Sequence, residues 1–111
     1  MVAGNAFAQG IDFGRIDTFE SMGSGTLRGA SPPKTIIQDS DKHMVVFTIL
    51  EADTETKVYW KSLGKNSSDR STTMTGPGVQ VFQTAGEFKL EALGDNNQTV
   101  KYGYMIFQLK D

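Results

Sequence analysis

Apolar and polar residues alternate most cleanly in the last quarter of the chain. Phe88, Leu90 and Ala92 alternate with Glu87, Lys89 and Glu91. A period of two marks a strand with one buried and one wet face. Gly94-Asp95-Asn96-Asn97 follows, residues that tolerate the positive φ of a tight turn. A second strand-like run then carries the chain to Leu109, with Val100, Tyr102, Tyr104 and Ile106 on one face. This pattern predicts a β-hairpin over 86–109.

The middle of the chain repeats the theme. Over 43–50, both alternating sets are apolar: Val45, Phe47 and Ile49 on one, Met44, Val46 and Leu50 on the other. A strand apolar on both sides is central in its sheet or covered by a partner. A polar turn, Glu51-Ala52-Asp53-Thr54-Glu55, leads into 56–62, where Val58 and Trp60 oppose Lys57, Tyr59 and Lys61. The two runs predict a second hairpin. Residues 63–78 read as a long polar loop in which Ser71-Thr72-Thr73 adds at most a short strand. Val79 opens another strand that runs to Thr84, and Ala85-Gly86 turns the chain. Five strands with turn signals between them predict an all-β domain, an antiparallel β-sandwich or jelly roll.

Residues 1–42 are weakly periodic and rich in Gly, Ser and Asp. They read as an extended N-terminal arm with first short strands, ahead of a sandwich core over 43–111, within a single domain. Phe13, Ile16, Phe19 and Met22 recur every three residues, as in a short helix, but Gly14 weakens that reading. Met22-Gly23-Ser24-Gly25 reads as a hinge or turn, and Thr35-Ile36-Ile37 as a short edge strand. Ala6-Phe7-Ala8 resembles a signal-peptidase site. With no basic stretch or full apolar core before it, the match reads as chance; a true remnant would mean export.

Composition narrows the function. At 111 residues the chain is long enough for a core without staples. A net charge of −2 disfavours nucleic acid and anionic membrane as partners. No apolar run is long enough to insert in a membrane as a helix. The absence of Cys excludes disulfides, zinc–thiolate sites and thiol nucleophiles.

Candidate chemistry is sparse. His43 is the single histidine, and it reads as a surface residue near Asp39 and Asp41. Ser31-x-x-Lys34 has the spacing of an acyl-enzyme motif, but Pro32 and Pro33 stand where that motif needs a helix. Glu51, Asp53 and Glu55 have the two-residue spacing of calcium ligands without a calcium loop, and read as solvated strand-end charge. No metal site, cofactor or enzyme is expected.

Two functions remain. The first is a non-catalytic structural module that binds other copies of itself or a shell or fibre protein, as in virion decoration, a tail or a surface filament. Its contacts would come from Phe7, Ile11, Phe13 and Phe19 on the arm, with Tyr59, Met105 and Phe107. The second is an exported carbohydrate-binding sandwich with Tyr59 and Trp60 as stacking platform and Asn66, Asp69 and Arg70 as polar rim. Trp60 also suits the core. Either function places the chain on a virion, outside the cell or at its surface.

Overall fold

The computed structural model describes residues 13–64 and 66–110. A 3₁₀ turn over Phe13–Arg15 leads into eight strands: β1 (Ile16–Arg28), β2 (Lys34–Gln38), β3 (His43–Ala52), β4 (Thr56–Lys61), β5 (Asp69–Met74), β6 (Gly78–Thr84), β7 (Glu87–Ala92) and β8 (Thr99–Leu109). They form two four-stranded antiparallel sheets, ordered β1-β8-β3-β6 and β2-β7-β4-β5. That strand order is a jelly roll, and the sandwich expected from the sequence is present.

The long-range pairing differs from both predicted hairpins. β7 and β8 lie in opposite sheets, as do β3 and β4. Turn residues such as Gly94 and Asp95 reverse the chain, but the reversal crosses from one sheet to the other. Only β4 and β5 are both consecutive and hydrogen-bonded to each other. β5 therefore occupies much of the stretch expected to be a long loop. Its link to β4 is short and closed by Ser62 N–H donating to Ser68 O at 2.9 Å.

The N-terminal reading needs a larger correction. β1 spans 13 residues, and Met22, Gly23, Ser24 and Gly25 lie within it as ordinary strand positions. Neither a helix nor a hinge forms there. A Cβ on Gly23 would lie 2.4 Å from the Tyr104 hydroxyl, and one on Gly25 would lie 2.7 Å from that of Tyr102. The two rings, stacked at 6.3 Å, fill the space that β1 leaves beneath itself. Glycine on an edge strand covered by a cross-strand aromatic is a recognised way to pin register. β2 forms at the sheet edge, as expected from Thr35, Ile36 and Ile37.

The core lies between the sheets. Val45, Phe47 and Ile49 of β3 and Val100, Tyr102 and Ile106 of β8 face Val58 of β4 and Phe88 and Leu90 of β7. The Phe88 ring is the hub, edge-on to Phe47 at 6.0 Å and to Phe82 at 5.3 Å. Full burial of one such side chain contributes about 1.5–3 kcal/mol. Trp60 closes the rim of this core, its ring 4.8 Å from Phe82.

Candidate functional site

Inward placement of Val100, Tyr102 and Ile106 turns Lys101, Gly103 and Met105 outward. The same alternation turns Met22 and Ser24 outward on β1, Val46 and Thr48 on β3, and Val79 and Val81 on β6. Strand register then sets these residues in rows across the sheet. Met22 pairs with Met105, Met105 with Val46, and Val46 with Val81. A neighbouring row runs from Phe19 through Phe107 to Met44, which is fully buried despite its outward register. Met22 is 70% exposed, Phe19 53% and Met105 38%. Leu50 and Val79 are also exposed on this sheet. Phe107 is half-buried, and the Phe19 ring stands edge-on to it at 5.6 Å. A charged boundary follows beyond Gly103, where Lys101 Nζ lies 3.7 Å from Glu51 Oε2.

Three of the residues expected to bind a partner, Phe19, Met105 and Phe107, are thus brought together. Phe7 and Ile11 lie outside the described residues, as does the side chain of Phe13, whose backbone opens the 3₁₀ turn. Tyr59 sits on β4 in the other sheet, far from this face in topology. Met22, the most exposed member, was not legible as a contact residue, because its neighbours Gly23 and Gly25 erase the alternation that marks a strand.

The residues of the carbohydrate reading gather elsewhere. Tyr59, Trp60, Asp69 and Arg70 line a cleft of about 370 Å³ with Pro33, Glu87 and Lys89. Asn66 is not among its lining residues. The Tyr59 hydroxyl donates to Glu91 Oε1 at 2.5 Å, and Lys57 Nζ lies 5.2 Å from the ring centroid. The hydrogen bond to Glu91, with lesser help from burial and the Glu91 charge, raises the Tyr59 pKa above the usual phenol value. Loss of that proton would put a phenolate against a carboxylate.

His43 is fully buried, a correction to its reading as a surface residue. Its Nε2 lies 3.1 Å from both Asp39 carboxylate oxygens, and Nδ1 is 3.6 Å from Glu20 Oε1 without a hydrogen-bond partner. Glu20 arrives from the β1 bulge, a neighbour that sequence spacing could not reveal. Asp39, Asp41 and His43 bring donor atoms within 4.8 Å of one another, a donor set of the kind that can hold a cation. In this structure Asp39 already serves the imidazole and accepts from Asp41 N–H at 2.9 Å. The second set of acids is spread over separate partners: Glu51 on Lys101, Asp53 on the Thr99 N–H at 3.1 Å, and Glu55 on the Thr75 hydroxyl at 3.2 Å.

No family model and no curated protein matches the chain. Among solved structures it is similar to a chain from Bacillus endospore appendages, described as a novel family of disulfide-linked pili. The TM-score is 0.54 at 13% identity, over 85% of this chain and 90% of that one. Identity this low shows a shared sandwich fold.

Proposed function

We propose that this chain is a non-catalytic structural subunit that works by protein–protein contact, of the surface-filament type, with a virion or tail component as the same kind of object. The observation that carries the reading is the apolar outer face of the β1-β8-β3-β6 sheet, with Phe19, Met22 and Met105 open to solvent. Contiguous exposed apolar surface on a small domain marks an interaction site. The resemblance to an appendage chain described as forming pili supports the reading and a location at a surface. This chain has no Cys, so its contacts cannot be disulfide-linked, unlike the pili of that neighbour. Burial of His43, the single histidine, beside Asp39 and Glu20 supports a role without catalysis.

Sedimentation velocity over a wide concentration range tests the proposal. The wild-type chain should associate as concentration rises, and Met105→Lys should hold it as a folded monomer. A wild-type chain that stays monomeric and binds no shell or fibre protein removes this reading.

A second reading has its own observation. Four of the five residues suggested for glycan binding line one cleft, with Trp60 among them. If the chain is an exported lectin-like module, oligosaccharides should shift the fluorescence of its single Trp. A flat response across a broad glycan panel rules it out.

A further inference from the structure

We infer that the outer face of the β1-β8-β3-β6 sheet is the contact surface of a closed two-fold pair with a second copy of this chain. The inference rests on the assembly reading above and gives it a partner and a geometry. Its basis is the relief of the face. Met22, Met105, Val46 and Val81 form a ridge across all four strands. The adjacent row is Ser24, Gly103 and Thr48 on β1, β8 and β3, in register, and it ends on β6 at the exposed Val79. The first three are small residues, and a Cβ on Gly103 would find only Gly23 O, at 3.6 Å. A ridge therefore runs beside a trough, about 7 Å away at two residues' rise along a strand.

That pairing is self-complementary. A two-fold axis lying across the strands, midway between ridge and trough, sets the ridge of each copy into the trough of the other on β1, β8 and β3, while on β6 Val81 of one copy meets Val79 of the other. The same rotation brings the Lys101 row over the Phe19–Phe107 row. There the Lys101 stem and ammonium meet aromatic faces, a favourable contact for a cation at the edge of an apolar patch. Two sheets stacked face to face sit about 10 Å apart, a distance that side chains of Met and Val can fill. Four rows on four strands cover roughly 500 Å² per copy, so the pair buries roughly 1,000 Å², the lower bound for a specific interface. Such a contact is isologous and stops at two copies, so a fibre built from such pairs would need a further partner protein to grow.

Sedimentation equilibrium and paramagnetic labelling test it together. Wild-type mass should rise from 12.1 kDa and level off at twice that value. Gly103→Val should fold as wild type, since its Cβ would meet Gly23 O at an ordinary contact distance of 3.6 Å, and should weaken the pair at least tenfold by filling the trough. Because the chain lacks Cys, Asn96→Cys on the exposed turn ahead of β8, outside the contact rows, supplies a unique spin-label position, and the pair should give one defined inter-copy distance. Mass that keeps climbing past the dimer leaves the assembly reading standing and overturns the two-fold pair. Dimerisation unaffected by Gly103→Val, or an Asn96→Cys label showing no defined inter-copy distance, also overturns it. A chain monomeric at every concentration overturns the pair and leaves the assembly reading to a partner other than itself.

Discussion

Gly25 and Gly103 lie on adjacent strands and present their missing side chains to opposite sides of one sheet. Gly25 faces inward, where a Cβ would press on the Tyr102 hydroxyl at 2.7 Å. Gly103 faces outward, where a Cβ would meet Gly23 O at an ordinary contact distance of 3.6 Å. One residue type therefore predicts two results. Gly25→Val should destabilise the fold by about 1–3 kcal/mol, because the buried Tyr102 ring must shift in a filled core; a thermal melt reads this directly. Gly103→Val should leave the melt within about 0.5 kcal/mol of wild type. Tyr59 gives a third residue-scale test. Its raised pKa comes first from the hydrogen bond to Glu91. Absorbance titration should show two phenols ionising late, Tyr59 and the buried Tyr102, and Glu91→Gln should return the Tyr59 phenol alone toward the ordinary value. The Tyr59–Glu91 contact contributes fully to stability up to about pH 10, the unfolded phenol value, and that contribution is lost as pH rises through the raised folded value.

Among the elements, legibility tracks how local the cause is. β7 was readable because alternation within six residues carries its own burial pattern, and all three of Phe88, Leu90 and Ala92 are buried. β1 was not, because its inward positions ahead of Leu27 include Gly23 and Gly25, whose apolar cover comes from Tyr104 and Tyr102 on another strand. The turns were found and their partners were missed for a related reason. Gly94 and Asp95 favour reversal, but hydrogen bonds from Leu93 N–H to Glu55 O and from Asp53 N–H to Thr99 O, both 2.9 Å, continue the β7–β4 and β8–β3 ladders up to the turn, so each strand is held by a partner in its own sheet. The site divides in the same way: Met105 and Phe107 stood out as a second apolar face on β8, whereas the burial of His43 depends on Glu20, brought by β1. The turn between β6 and β7 offers the sharpest test of this packing. Gly86 has φ of 102°, and a Cβ there would lie 2.1 Å from Asp39 O, whose residue's N–H donates to Gly86 O at 2.8 Å. Gly86→Ala combines backbone strain with a clash and should cost about 2 kcal/mol or more, visible as a lowered denaturant midpoint with unchanged slope.

For the whole molecule, the placement of apolar surface decides how association should respond to conditions. The chain carries a net charge of −2, so two copies repel only weakly, and the proposed contact is Met, Val and Phe with one charged pair at its edge. Burial of such surface is driven by water release and lowers the heat capacity. Calorimetric dilution of the assembled chain should therefore give an association heat-capacity change that is negative. Association should tighten with sulfate, which strengthens apolar burial, and change little with sodium chloride, which screens exposed ion pairs. An electrostatic assembly would show the opposite salt response, weakening steeply as ionic strength rises. Lys101→Ala separates the two at the edge: loss of a stem over Phe107 should weaken the pair by about 1 kcal/mol at most, whereas an interface held by charge would fall apart without it.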